Sequence, residues 1–164
     1  MTIPIPDIKR RDIYELEPGT LKKRGVRLVF LDVDNTLMPY GTSTATPELS
    51  GWVEKMKNAG LELFILSNNK GNRPEIFARQ LGLEFIGRAR KPKTEKMLSV
   101  CREKGISAQE CALIGDQIYT DILCAKRAGA VGVLVRPIKF SNPFFVIRYM
   151  AELPFRCVNK EDKS

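Results

Sequence analysis

The chain has 164 residues, of which 43% are hydrophobic and 28% charged, a globular composition with room for one core. It contains no histidine, which excludes Ser-His-Asp and Cys-His nucleophiles and any histidine-ligated metal. The formal net charge of +8 excludes an acidic, self-solvating chain and draws the protein towards phosphorylated partners, nucleic acid or anionic membranes.

Residues 1–25 carry two basic clusters, Lys9-Arg10-Arg11 and Lys22-Lys23-Arg24, and Pro18-Gly19 predicts a turn before a short helix. Val26–Asp34 is β-branched and aromatic, as in a strand buried on both faces. Residues 38–45 read as a loop. Thr46-Pro47-Glu48 opens a helix that ends near Gly60, with Thr46 as cap and Pro47 in the first turn. Leu61–Asn68 is a second strand, followed by a helix over 73–80 and a short strand over 83–86. Lys93–Lys104 is a helix closed by Gly105, Cys111–Asp116 a strand, 119–128 a helix before Gly129, and Ala130–Val135 the fifth strand. The segment SNPFFVIRYMAEL forms a last helix capped by Ser141 or Asn142. Strands alternating with helices imply an α/β fold, a three-layer Rossmann-like arrangement around a parallel sheet.

Ligands bind such sheets beyond the carboxyl ends of the strands. There the first predicted strand ends in Asp32 and Asp34, the second in Ser67 and Asn68, and the fourth in Gly115 and Asp116. Clustered carboxylates repel one another unless a cation holds them. Oxygen donors without histidine or cysteine favour a hard ion, and Mg²⁺ is the natural choice. The four cysteines form no CxxC pair and none has arginine six positions later, so neither a zinc knuckle nor a Cys-x5-Arg phosphatase loop is present.

These residues resemble the four motifs of the haloacid dehalogenase (HAD) superfamily, in that family's order. Asp32-Val33-Asp34-Asn35-Thr36-Leu37 is similar to the first motif, Ser67-Asn68 to the second, Lys91-Pro92 to the third and Gly115-Asp116-Gln117-x-x-Thr120-Asp121 to the fourth. The resemblance implies a phosphatase. Asp32 is then the nucleophile that forms an aspartyl-phosphate, and a metal ligand. Asp34 is the general acid and base, and its backbone carbonyl touches the metal. Ser67 and the backbone around Asn68 hold phosphate oxygens, Lys91 neutralises phosphate charge, Asp116 binds Mg²⁺, and Thr36 and Asp121 support the site. Lys93 also follows Pro92 and is the alternative to Lys91.

Residues 38–60 and 69–90 leave room for about one helix each, whereas a folded cap needs roughly 50 residues. No separate cap domain is expected, and the open site suits a phosphate carried on something large. Pro6-Asp7-Ile8, Asp12-Ile13-Tyr14 and Leu21-x3-Gly25-Val26, with the Asp-Asn-Thr-Leu and Gly-Asp-Gln-x-x-Thr-Asp forms, resemble subfamily IIIA, the YqeG-like proteins. That group is related to the phosphatidylglycerophosphatases of mitochondria and plastids, so the resemblance implies phosphatidylglycerophosphate or another exposed phosphate as substrate. The expected layout is a single HAD-like hydrolase domain over 1–164, with a motif core over 26–136 and a helical tail over 141–156.

Between residues 88 and 104 seven Lys or Arg stand against two Glu, a basic rim suited to peripheral contact with an anionic membrane. Pro143–Met150 either inserts there as an interfacial helix or covers the sheet. No apolar run approaches the roughly 18–20 residues of a transmembrane segment, and the N-terminus lacks the apolar stretch of a signal peptide. The expected location is cytoplasmic, at the inner face of the membrane when docked. The competing readings are a phosphatase for a phosphoprotein or nucleotide, and a non-catalytic module binding nucleic acid or a ribosomal particle. Nucleic acid is disfavoured, because aromatic residues make up only 8% and no RNP-type motif occurs.

Overall fold

The computed structural model describes residues 1–140 and 142–158. Six strands, Ile8–Lys9 (β1), Leu28–Leu31 (β2), Glu62–Leu66 (β3), Glu84–Ile86 (β4), Cys111–Gly115 (β5) and Val131–Leu134 (β6), form one sheet in the order β1-β6-β5-β2-β3-β4. Every pairing is parallel, and Phe30 sits in register with Phe64 on one side and Leu113 on the other.

The period-two alternation of the strands splits the core into two layers. Val29, Leu31, Ile65, Ala112 and Ile114 face one side, where Pro18–Lys22 (α1), Pro47–Asn58 (α2) and Arg73–Leu81 (α3) cover them through Leu21, Leu49, Trp52 and Phe77. Leu28, Phe30, Phe64 and Leu113 face the other side, covered by Glu95–Lys104 (α4) and Leu123–Ala128 (α5) through Met97, Val100, Cys124 and Ala125. The caps follow the sequence signals: Thr46 Oγ1 accepts from the Leu49 amide at 3.1 Å, and Gly105 closes α4 in the left-handed region at φ 63°.

Two differences from the sequence reading have physical causes. The sequence reading assigns no strand where β1 forms. That strand is only two residues long and is recruited at the sheet edge by Asp7, which accepts from the Gly132 amide at 2.9 Å and pairs with Lys126 at 2.5 Å. The helix expected over 119–128 begins as a π-turn, Ile118–Ile122, before α5, because the Asp121 and Ile122 amides both donate to the Gln117 carbonyl. The last helix, Pro143–Arg156 (α6), is capped by Asn142, whose Oδ1 accepts from Phe145 N at 2.9 Å; the alternative cap, Ser141, lies outside the described residues. α6 packs on the π-turn rather than across the sheet. Among the described residues no helix is long and apolar enough to cross a membrane, and no separate cap is inserted between the strands.

Candidate active site

The chain leaves β2 in one direction for β3 and β4 and returns on its other side to β5 and β6, so a crevice opens at the carboxyl end of β2. Asp32 follows β2 directly, its amide donating to the Ile114 carbonyl at 3.0 Å. Ser67 and Asp116 follow β3 and β5, and the three loops meet.

Lys91 is the centre of the charge arrangement. Its Nζ lies 2.8 Å from Asp32 Oδ1 and 2.6 Å from Asp121 Oδ1, and all three side chains are buried. Lys93, the alternative, is exposed. The Lys91–Pro92 peptide is cis, and Asn68 holds the Lys91 backbone from both sides: Oδ1 accepts from its amide at 2.7 Å and Nδ2 donates to its carbonyl at 3.0 Å. Asn68 therefore commits its side chain to placing the lysine. Ser67 Oγ accepts from the Asn69 amide at 3.1 Å and remains at the cleft wall.

Asp32, Asp116 and Asp121 each offer a carboxylate oxygen, and those atoms lie within 4.8 Å of one another. Thr36 Oγ1 bridges the cluster, 3.4 Å from Asp32 Oδ2 and 3.2 Å from Asp116 Oδ1. Asp116 Oδ2 is buried, and among the described residues it has no hydrogen-bond partner. Burying an unpaired carboxylate oxygen is costly, so the cluster is suited to a cation. Oxygen-only donors fit a hard divalent ion. Burial pushes the Asp32 carboxyl up to about 7, against the pull of Lys91 and helped by Asp121. Burial, then the charges of Asp121 and Asp32, holds Asp116 well above the usual carboxylate range. The π-turn delivers Asp121 to this cluster, and Gly115 makes room for it: a Cβ there would collide with the Asp121 carboxylate.

Asp34 finds its partners outside that trio. Its Oδ1 pairs with Arg73 at 2.6 Å and its Oδ2 accepts from Asn69 Nδ2 at 3.0 Å. Asn35, buried with φ 61°, bends the chain after Asp34. Arg73 and Asn69 escaped the sequence reading. Asn69 neighbours Ser67-Asn68 and was within reach of it, but Arg73, on the first turn of α3, carries no signal of its own. Asp32 faces a cleft of about 510 Å³ whose walls also include Asp34, Tyr40, Ser67, Phe145 and Arg148. Arg148 is a further member that the motifs do not reveal; α6 brings it in, close enough to temper the rise of Asp116.

A parallel three-layer fold with an acidic trio, a buried lysine and a Ser-Asn turn at one sheet edge defines a phosphatase of the HAD superfamily. Within that superfamily the chain belongs to the family described as mitochondrial PGP phosphatase, whose model matches residues 2–138. The probable phosphatase YqeG of Bacillus subtilis is 37% identical over 140 residues, which span 85% of this chain and 81% of that protein. The phosphatidylglycerophosphate phosphatase 1 of Arabidopsis thaliana, chloroplastic/mitochondrial, is 23% identical across 91% of this chain but only 45% of its own length. Among solved structures, the 3-deoxy-D-manno-octulosonate 8-phosphate phosphatase of Moraxella catarrhalis, in complex with magnesium, phosphate and KDO, shares the fold. Its TM-score is 0.50 at 18% identity, over 84% of this chain and 91% of that one.

Proposed function

We propose that the protein is a Mg²⁺-dependent phosphomonoester hydrolase that works through an aspartyl-phosphate on Asp32, with phosphatidylglycerophosphate, or another phosphate exposed on a large carrier, as substrate. The chain acts as one hydrolase domain, with the motif core over 26–136 and the tail of α6 beside it. The observation that carries the reading is the buried trio of Asp32, Asp116 and Asp121 with Lys91 Nζ between two of them.

Asp32, Asp116 and Asp121 are the groups that would hold the ion, with the Asp34 backbone carbonyl added from the motif resemblance. The bound ion supplies positive charge that screens the phosphate dianion from the carboxylates and orients it. An Asp32 carboxylate oxygen attacks phosphorus, the bond to the leaving oxygen breaks, and Asp34 gives that oxygen its proton. Asp34 then takes a proton from water, whose oxygen attacks phosphorus, releasing inorganic phosphate and free Asp32. Arg73 and Asn69 hold Asp34 in place, and the Arg73 pair at 2.6 Å must loosen when Asp34 carries its proton. Ser67 Oγ and the amides beside Asn68 line the position of the phosphate oxygens, and Lys91 neutralises part of their charge.

The lipid substrate is supported by the family match and by the open cleft. The name of the Arabidopsis relative points the same way. An unlidded site on a basic protein favours a phosphate presented at an anionic surface, and we place the protein on the cytoplasmic side, peripheral to the membrane. The test is phosphate release from phosphatidylglycerophosphate in mixed micelles with Mg²⁺, beside a generic aryl phosphate, for wild type and Asp32→Asn. Lipid turnover far above the aryl rate, lost in Asp32→Asn, is the expected result. Equal slow turnover of both, still dependent on Asp32, would keep the phosphatase and discard the lipid.

A further inference from the structure

α6 is amphipathic the wrong way round for a covering helix. Its fully buried residue is Glu152, while Phe144, Ile147 and Met150 are 76%, 66% and 61% exposed. Residues three apart share one helix stripe, and globular helices turn such a stripe to the core. Glu152 is anchored rather than stranded: its Oε1 accepts from the Ile118 amide at 3.0 Å and its Oε2 pairs with Arg156 at 2.5 Å. Polar contacts fix the helix to the π-turn, and the apolar stripe points outward as a consequence. Val146, 42% exposed, and Phe140, 48% exposed, widen it. A continuous apolar patch of this kind marks an interaction surface.

The setting of the stripe selects its partner. On one side Phe145 and Arg148 of α6 line the catalytic cleft. On the other, Tyr149 and Leu153 border a groove lined by Lys9, Arg10, Arg11 and Arg136, with Glu15 as its acidic member. An apolar stripe thus lies between the cleft and a cationic groove. This combination matches an anionic interface with an apolar interior. A second copy of this chain would bring two such cationic grooves and two charges of +8 together, which is unfavourable. α6 also lies beyond residues 2–138, so nothing in the family match accounts for it.

We propose that α6 docks the protein on an anionic lipid bilayer, with Phe144, Ile147 and Met150 entering the acyl boundary and the neighbouring basic groove facing the headgroups. The cleft then opens at the membrane surface. This rests on the reading of a lipid-borne phosphate, and the two fail separately in the following experiment.

Wild type, a Phe144→Ser/Ile147→Glu double variant and a Met150→Glu variant are sedimented with vesicles of phosphatidylcholine alone or mixed with phosphatidylglycerol. Hydrolysis of a soluble aryl phosphate and light scattering are measured on the same samples. Wild type should bind the mixed vesicles, release them at high salt, and bind neutral vesicles weakly. The double variant should partition about tenfold less or weaker, with Met150→Glu intermediate, while aryl phosphate turnover is unchanged and reports an intact fold. Absence of wild-type binding to mixed vesicles at low salt overturns the proposal, as does a double variant that binds like wild type. Loss of a dimer in the double variant without any vesicle binding overturns it in favour of a second copy. Turnover of phosphatidylglycerophosphate in non-ionic micelles without vesicle binding removes the docking alone. Vesicle binding that α6 substitutions abolish, with no such turnover, supports the docking and removes the substrate.

Discussion

The Nζ of Lys91 lies 2.8 Å from Oδ1 of Asp32, with both side chains withdrawn from solvent. Asp121 stands 2.6 Å away on the same ammonium. Burial would lower the Lys91 pKa, but Asp121 and Asp32 more than offset that and raise it, so the ammonium stays charged at any working pH. Lys91→Met would leave two buried carboxylates facing each other without a cation. The expected loss is about 3–5 kcal/mol in urea unfolding of the metal-free protein. If Lys91 neutralises the phosphate as proposed, turnover should fall by roughly two orders of magnitude or more. A Lys91→Met protein with wild-type stability and rate would mean that Lys91 does neither job.

Asp32 and Asp116 make stability depend on pH in an unusual direction. Asp32 is pushed up to about 7 and Asp116 well above its ordinary value, mainly by burial. A folded carboxyl with a raised pKa binds its proton more tightly than the unfolded chain does. Its contribution is full below the unfolded value, near 3.9, and is lost as pH rises through the folded value. In EDTA, wild type should therefore lose melting temperature relative to Asp116→Asn as the pH rises above the unfolded carboxyl value. Adding Mg²⁺ at the upper pH should return stability to wild type and much less to the variant, because the ion binds the deprotonated ligands. Thermal melts of both proteins, with and without the ion, decide this; a gap that stays constant with pH counts against raised carboxyls.

The backbone around Asn68 is the part expected to hold phosphate, and the Asn68 side chain clamps the Lys91 backbone at 2.7 and 3.0 Å. Asn68→Ala removes both bonds and should cost about 1–3 kcal/mol. A displacement of Lys91 by as little as 1 Å should lower kcat by about 10²-fold. Asn68→Asp keeps the acceptor for the Lys91 amide but sets a carboxylate against the Lys91 carbonyl, so it should rescue little. If Asn68 bound substrate alone, both variants would raise KM at unchanged kcat, and steady-state kinetics separates the two cases.

Much of this site was legible because parallel sheets advertise it. Asp32, Ser67 and Asp116 interrupt apolar runs at strand ends, and those ends share one edge of the sheet. The burial of Lys91 rather than Lys93 was not legible, since both follow from the same basic loop and only the Asn68 clamp chooses between them. Arg73 reaches Asp34 across 39 positions of sequence, a pairing set by where α3 starts rather than by any local pattern. β1 is too short to show periodicity, and its pairing with β6 depends on side-chain contacts of Asp7 from the far end of the chain. α6 was legible as a helix, but its orientation was not. A run such as Phe144-Phe145-Val146-Ile147 ordinarily faces a core, and the buried Glu152 that turns it outward is satisfied by the π-turn and by Arg156.

Arg156 ties this helix to the loop that carries Asp116. Its guanidinium donates to the Asp116 carbonyl and pairs with Glu152, whose other oxygen accepts from the Ile118 amide. The two residues flanking Gln117 are thus fixed from α6, one at each end of a short loop. Arg156→Ala should leave Glu152 as an uncompensated buried carboxylate and free the Asp116 carbonyl, at an expected cost of about 3 kcal/mol. Adding Glu152→Gln removes the stranded charge while keeping an acceptor for Ile118, so the double variant should recover most of that loss in urea unfolding. The Asp116 contact is not restored by that second change. The double variant should therefore still bind Mg²⁺ more weakly than wild type, measured calorimetrically at neutral pH. Recovery of stability and of metal affinity together would place the whole effect on the Glu152 charge and none on the hold that Arg156 has over Asp116.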